Sequence, residues 1–225
     1  NNKFIYLAGH SLGEYTALTT ANSLTFEQGL ILLKNRGEAM HSALPTGEGG
    51  MLAVLGVEIK EIQKLLNESE GTIKCFLAND NSNGQLILSG RNDQLDKFGL
   101  ILKEKKFKNI KLPVSAPFHC ELMNSATLKM EKIINKQKFN NPIYKVVSNV
   151  TAQEYKSNEN INKLLIKQIE SPVRWRESVE YMISNGTNTF IEIGPGKVLS
   201  GLIKRINKDV KVLNIDTLED IEDIS

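Results

Sequence analysis

An apolar segment that runs directly into a glycine-flanked serine is the feature that most restricts how this 225-residue chain can fold. Residues 3–9 are apolar without alternation, which is typical of a strand in a parallel sheet. Gly-His-Ser-Leu-Gly follows at residues 9–13 and matches G-x-S-x-G, and residues 12–21 have helical spacing. A strand, a tight turn and a helix in this order predict a nucleophile elbow that presents the hydroxyl of Ser11.

The elbow has specific backbone requirements. We expect Gly9 and Gly13 to let the chain turn sharply. The N–H of Leu12, at the start of the helix, would be free to bind a developing oxyanion. The alternative is that Ser11 lies in an ordinary tight turn without a catalytic role.

The remaining pattern predicts an α/β protein with two parts. From residue 47 to residue 115 the predicted order is β-α-β-β-α-β, which is the ferredoxin-like plan and indicates an inserted subdomain. Residues 1–46 and 116–225 alternate strands with helices, so we expect a body with a mostly parallel sheet and a hydrolase-like nucleophile elbow.

The second helix of the body has a clear start. Thr25 and Gln28 form a predicted capping box, and the helix is expected to run to about residue 43. Its buried stripe is expected to contain Phe26, Leu30 and Met40, together with Leu33.

Composition excludes several classes of function. A formal net charge of +2 gives no argument for nucleic acid, and the basic run at residues 103–108 is typical of a solvated face. No apolar stretch is long enough to span a membrane. Cys75 and Cys120 have neither metal-ligand spacing nor disulfide density, so we expect no metal site and a reducing compartment such as the cytoplasm. The absence of an obvious apolar surface stripe favours a monomer.

A nucleophilic serine needs a base, and the chain contains three histidines. His10 is adjacent to Ser11 and therefore poorly placed, while His41 lies near the end of a surface helix. His119 follows Ala-Pro-Phe in a loop and is the remaining candidate. An α/β hydrolase would place its acid before a histidine near the chain end, an order that this sequence does not fit well.

Two further segments could bind anions. Arg36 lies at the margin of the apolar stripe and could hold a substrate carboxylate, although an arginine reaching to solvent is equally compatible with the sequence. Gly-Pro-Gly-Lys at residues 194–197 lacks the spacing of a phosphate-binding loop and is read as a strand-to-helix turn.

Several collinear segments resemble one family. They are GHSLGEYTAL, NRGEAM, VSAPFHCELM, QIESPVRWRESVEYM and IEIGPGKVLSGL. Together they are similar to the malonyl-CoA:acyl-carrier-protein transacylases of type II fatty acid synthesis, whose architecture is also an α/β body with a ferredoxin-like insert.

The resemblance implies roles for individual residues. Ser11 matches the nucleophile and His119 its general base and acid. Gln168 matches the residue whose main-chain carbonyl orients that histidine, which would explain the missing triad acid. The N–H of Leu12 matches one half of the oxyanion hole.

The resemblance also implies the substrates. Arg36 matches the arginine that pairs with the malonyl carboxylate, and Phe118 resembles a bulky pocket residue that leaves little room for an α-methyl group. The expected partners are malonyl-CoA and acyl carrier protein, with no bound cofactor. Lys197, Lys204 and Arg205 are candidates for docking the acidic carrier, with scattered solvated side chains as the alternative.

One family segment is not matched in this sequence. The family opens with a strand and a loop whose glutamine completes the oxyanion hole, so the resemblance implies an N-terminal truncation and impaired activity or folding. A serine esterase or thioesterase, and an inactive acyltransferase-like remnant that only binds partners, remain the alternative functions. The compartment implied is the cytoplasm, or a plastid in a plastid-bearing eukaryote.

Overall fold

The structure, a computed structural model, describes residues 4–222. Residues 1–3 and 223–225, which belong to the predicted body, lie outside the described residues. The strands are β1 (Tyr6–Leu7), β2 (Gly49–Leu55), β3 (Cys75–Ser82), β4 (Gln85–Arg91), β5 (Lys108–Lys111), β6 (Lys145–Val146), β7 (Thr189–Ile193) and β8 (Lys211–Ile215). The helices are α1 (Leu12–Thr20), α2 (Phe26–His41), α3 (Ile59–Glu68), α4 (Asn92–Glu104), α5 (Asn124–Ile134), α6 (Ile161–Gln168), α7 (Trp175–Ser184), α8 (Val198–Ile206) and α9 (Glu219–Glu222), with 3₁₀ turns at Glu121–Met123 and Asn158–Asn160.

The middle of the chain forms a four-stranded antiparallel sheet. Its strand order is β3-β4-β2-β5, with Leu52 opposite Leu88 in the central pair. Because side chains alternate along a strand, one face carries large apolar residues that pack against α3 and α4. The opposite face carries Met51, Ala53 and Ile87, against which Phe118 packs. The sheet therefore has its own core on one side and faces the rest of the molecule on the other.

The parallel strands are fewer and shorter than the sequence predicts. β1 pairs with β6 and β7 pairs with β8, both in parallel, so the described residues contain two separate parallel pairs and no continuous parallel sheet. Within the segment predicted as a strand, at residues 3–9, only Tyr6 and Leu7 pair, while Phe4 and Ile5 are exposed and residue 3 lies outside the described residues. An apolar run shows that a segment favours a strand, but pairing also requires a neighbour of the same length, and β6 supplies two residues.

The start of α2 is as predicted, but its buried face is not. The Thr25 hydroxyl accepts a hydrogen bond from the Gln28 N–H at 3.2 Å, and the Thr25 N–H donates to the Gln28 side chain at 2.9 Å. Phe26 and Leu30 are 67% and 52% exposed, so the predicted stripe is wrong at these positions.

Met40 is buried as predicted, and the helix buries with it Gly29, Leu32, Arg36 and Ala39. At Gly29 a Cβ atom would lie 2.7 Å from the Thr19 hydroxyl, so α1 approaches α2 closely on this face. The close approach decides the orientation of the helix, and as a result Arg36 points into the protein.

The largest core of the body lies between α1, α2, α5 and α6. Its fully buried members include Leu18, Leu32, Met130, Ile134 and Leu165. No helix among residues 4–222 is long and apolar enough to cross a membrane.

Candidate active site

Ser11 lies between β1 and α1 with a left-handed backbone, at φ 52° and ψ −101°. Neither Gly9 nor Gly13 has a positive φ, so the unusual backbone conformation of the turn is at the serine itself. Gly9 is required for space, because a Cβ atom there would lie 2.0 Å from the carbonyl carbon of Gly13. Nothing lies within 4 Å of a Cβ atom built on Gly13.

The structure brings Ser11, His119 and Gln168 together from distant parts of the chain. Ser11 Oγ is 2.8 Å from His119 Nε2, and His119 Nδ1 is 2.9 Å from the main-chain oxygen of Gln168. A carbonyl oxygen can only accept, so Nδ1 carries the proton and Nε2 is free to accept one from the serine. His119 also has a positive φ, 60°, in the loop that follows Phe118.

His119 is buried, and its electrostatic surroundings oppose a positive charge. Burial and the nearby Arg36 guanidinium lower the pKa of His119 to about 3. The imidazole is therefore neutral at neutral pH, which is the form that can accept a proton.

The Arg36 guanidinium lies beside the serine hydroxyl. Its Nη2 donates to Ser11 Oγ at 2.9 Å and to the Gln168 side-chain oxygen at 3.0 Å. The side chain is buried, its guanidinium carbon lies 5.6 Å from the centre of the Tyr15 ring, and its Nε has no hydrogen-bond partner among the described residues. A buried cation without a directly bound carboxylate, next to a serine hydroxyl, is suited to an anionic group carried by a substrate.

Leu12 and Phe118 complete the set of predicted residues. The N–H of Leu12, the first residue of α1, has no acceptor within residues 4–222. Phe118 is partly buried beneath the antiparallel sheet, and its carbonyl accepts a hydrogen bond from the Ser89 hydroxyl at 2.6 Å.

Two residues that the sequence did not single out hold the elbow. The Ser11 N–H donates to the Asn149 side-chain oxygen at 2.7 Å, and the Asn149 amide donates to the Gly9 carbonyl at 2.8 Å. Glu14 lies in the first turn of α1 and is fully buried. The sequence contained one signal for each residue. Asn149 is a polar residue shortly after a buried strand, and Glu14 is an acidic residue on the inner face of α1.

The other two histidines lie where the sequence indicated. His10 points away from the serine: its Nε2 is 2.8 Å from the Asn81 side-chain oxygen, and its ring packs against Trp175. His41 is exposed at the end of α2.

The Gly-Pro-Gly-Lys turn is not an open anion site. The Glu192 carboxylate accepts hydrogen bonds from the N–H groups of Leu199 and Ser200, at 3.0 and 2.7 Å, and so occupies the N-terminus of α8. Nearby, Lys197 is exposed, but Lys204 donates to main-chain oxygens and Arg205 donates to the Gln85 side chain. Within residues 4–222 no group of three or more His, Cys, Asp or Glu side chains is arranged to hold a metal ion.

Comparison with known proteins gives one consistent result. Residues 5–219 match the family model of the acyl transferase domain. A malonyl CoA-acyl carrier protein transacylase from Bacillus subtilis is 40% identical over 220 residues, which are 96% of this chain and 69% of that protein. The crystal structure of such a transacylase from Clostridium perfringens has 42% identity and a TM-score of 0.95, covering 99% of this chain and 71% of that chain.

A further similar structure contains a partner. It is a malonyl-transacylase in complex with a type II PKS acyl-carrier protein, with 35% identity, a TM-score of 0.93 and coverage of 98% of this chain and 72% of that one. The mixed α/β fold and its site thus define an acyltransferase. The chain belongs to the acyl transferase domain family, and its resemblance to the malonyl-CoA:acyl-carrier-protein transacylases is confirmed.

Proposed function

We propose that the protein transfers the malonyl group of malonyl-CoA to the phosphopantetheine thiol of acyl carrier protein, for fatty acid synthesis, through an ester on Ser11. The buried Arg36 guanidinium, 2.9 Å from Ser11 Oγ, is the observation that carries this proposal. It favours an acyl group that has a second, anionic end.

Ser11 and His119 carry the chemistry in this proposal. His119 Nε2 takes the proton of the Ser11 hydroxyl as Oγ attacks the thioester carbonyl. The C–S bond then breaks, coenzyme A leaves with that proton, and the malonyl group remains as an ester. In the second half the carrier thiol gives its proton to His119 and attacks the ester, and Ser11 Oγ recovers the proton as the C–O bond breaks. The Gln168 carbonyl, 2.9 Å from Nδ1, keeps the histidine in the required tautomer.

Leu12, Arg36 and Phe118 shape the acyl site. The unoccupied Leu12 N–H supports a role in binding the oxyanion of both tetrahedral intermediates. The Arg36 guanidinium holds the malonyl carboxylate. Phe118, which directly precedes His119, limits the space beside the α-carbon of the acyl group.

The architecture belongs to the same proposal. The strand order β3-β4-β2-β5 and the separate apolar core support a ferredoxin-like subdomain over residues 47–115, inserted between the body segments 1–46 and 116–225. The turn at Ser11 between β1 and α1 supports a hydrolase-like elbow.

The proposal also includes the cofactor requirement, the oligomeric state, the compartment and the docking site of the carrier. The proposed steps need no metal or bound organic cofactor, because His119 moves the protons and the Leu12 N–H binds the oxyanion. The protein acts as a monomer in the cytoplasm, or in a plastid. Lys197 is the best candidate for the acidic carrier, because Lys204 and Arg205 are already engaged within the protein.

Labelling with malonyl-CoA tests the proposed function. We expect radiolabelled malonyl-CoA to leave one malonyl group on the peptide that contains Ser11, and added carrier protein to remove it as a thioester. Ser11→Ala is the control and should take up no label.

The fate of the label distinguishes the alternatives. Release of free malonate at the same rate with and without carrier protein would identify a hydrolase and contradict the transfer proposal. No label on Ser11 in the folded protein would support an inactive remnant.

A further inference from the structure

A fully buried carboxylate lies beneath the active site and has no part in the steps above. Glu14 accepts a hydrogen bond from the Tyr155 hydroxyl on Oε1. Its Oε2 accepts one from the Gln168 side-chain amide at 2.6 Å and one from the Asn149 N–H at 3.2 Å. Burying a carboxylate is unfavourable unless hydrogen bonds compensate for the lost water, so a functional role would explain its position.

The Gln168 side chain connects this carboxylate to the acyl site. Its Nε2 donates to Glu14 and, at 3.0 Å, to the Ser11 carbonyl, while its Oε1 accepts from Arg36 at 3.0 Å. A guanidinium can only donate, and a carbonyl can only accept. Only one of the two orientations of the Gln168 amide turns its oxygen to Arg36 and its NH₂ group to the Ser11 carbonyl.

Glu14 helps to select that orientation. Glu14 Oε2 accepts from the Asn149 N–H, and in its ionised form it can only accept, so it then requires the NH₂ group of Gln168 on its side. The Gln168 oxygen is then turned towards Arg36. With the opposite orientation, two donors would face each other and Arg36 would lose the acceptor that holds it beside Ser11.

We propose that Glu14 is a positioning residue for acyl-group selection, which fixes the Gln168 amide and thereby holds the Arg36 guanidinium beside Ser11. The inference rests on the proposed function and assigns its selectivity for a carboxylated acyl group to a residue that does not touch the substrate. His119 is held by the main chain of Gln168, so the general base depends much less on Glu14.

The test replaces Glu14 with side chains that keep or remove the acceptor. Glu14→Met has a similar length and no strong acceptor. It should lower kcat/KM for malonyl-CoA about tenfold or more, mainly through KM, and change the slower acylation by acetyl-CoA much less. Glu14→Gln can keep an oxygen towards Gln168 and Asn149 and present its NH₂ to the Tyr155 oxygen, so it should retain the malonyl preference.

Tyr155→Phe is the matched control. It removes a buried hydrogen bond from the other oxygen of the same carboxylate and leaves the Gln168 contact intact. It should lose stability and keep the malonyl preference. If Glu14→Met lowers both acylation rates in proportion, or behaves as Tyr155→Phe does, the role is structural and the proposal fails. Loss of the malonyl preference in Glu14→Gln would show that the charge of Glu14, and not the orientation of the Gln168 amide, determines it. This result would also overturn the proposal.

A further variant, Glu14→Asp, and a binding measurement with free malonate complete the test. If Glu14→Met does not fold, Glu14→Asp draws the carboxylate back from Gln168 and should lose the preference, and an unchanged preference in folded Glu14→Asp refutes the proposal. Free malonate gives a readout without turnover: it should raise the melting temperature of the unmodified protein and of Glu14→Gln more than acetate does, but not that of Glu14→Met. This comparison separates failure of the inference from failure of the proposed function, which Ser11 labelling measures.

Discussion

At the scale of single residues, the burial of His119 links catalysis to stability. Its pKa is about 3 in the folded protein, mainly because of burial, against about 6.5 for an exposed histidine. As the pH falls, the unfolded chain binds this proton first. The contribution of His119 to stability is therefore complete above about pH 6.5 and is lost as the pH falls towards 3.

We predict a pH-dependent difference between the protein and His119→Gln. Between pH 7 and pH 5 the unmodified protein should lose about 2 kcal/mol more free energy of unfolding than the variant, because the variant has no proton to bind at this position. Urea denaturation at several pH values measures it. Equal pH dependence in the protein and His119→Gln would contradict the prediction.

The sequence could identify some residues of the site but not the contacts among them. His119 was found because three histidines left few candidates, and Ser11 because its motif is local. Glu14 and Asn149 could not be assigned, since their partners are more than a hundred residues away in the chain. Hydrogen bonds of that kind depend on how the elements pack, which local periodicity does not encode.

At the scale of elements, the two glycines of the elbow have different functions. A Cβ atom on Gly9 would overlap the Gly13 backbone, and no rotamer change can relieve contact with a main-chain carbon. The same atom on Gly13 meets nothing within 4 Å, and Gly13 has no positive φ.

We predict opposite results for the two alanine variants. Gly9→Ala should cost about 3 kcal/mol of stability and, by displacing Ser11, reduce its acylation about a hundredfold. Gly13→Ala should keep its stability or gain less than about 1 kcal/mol, because alanine favours the helix. Urea denaturation and the rate of Ser11 labelling measure both effects, and similar losses in the two variants would contradict this assignment.

Prediction from the sequence was correct for some features of the elements and wrong for others. The β-α-β-β-α-β order of residues 47–115 and the capping box of α2 follow from local patterns and were predicted correctly. The buried face of α2 was wrong because Phe26 and Leu30 suggested a stripe, whereas the contact of Gly29 with α1 fixes another face. A small residue gives no hydrophobic signal, yet it decided how two helices meet.

At the scale of the whole molecule, the end of β3 joins the antiparallel sheet to the segment that precedes α7. The Asp80 N–H donates to the Val173 carbonyl at 2.9 Å, and the Val173 N–H donates to the Ala78 carbonyl at 2.8 Å. The Asp80 carboxylate also pairs with Arg176 at 2.8 Å, where the two side chains are 2% and 20% exposed. This ion pair links the antiparallel sheet to α7.

We predict that Asp80→Asn lowers the free energy of unfolding by about 3 kcal/mol, because it leaves a largely buried guanidinium with only the more exposed Glu180 carboxylate. Glu68→Gln is the control: it breaks a pair with Lys64 whose side chains are 55% and 74% exposed, and it should cost less than about 1 kcal/mol. Urea denaturation compares the two. Equal effects would show that the junction does not depend on this ion pair. Asp80 and Arg176 are 96 residues apart in the chain, so the sequence alone could not show that they form an ion pair.

The left-handed backbones of Ser11 and His119 have a consequence for how such a chain changes over generations. Such sparsely populated backbones cost roughly 1–3 kcal/mol each for a residue with a side chain, and glycine would relieve that cost. Selection for folding alone would favour glycine at both positions. Lys106 and Ala152 also have a positive φ, so such a backbone does not by itself mark a catalytic residue. At Ser11 and His119 the same cost accompanies a 2.8 Å contact between the two side chains, so glycine at either position would gain stability and remove the proposed chemistry.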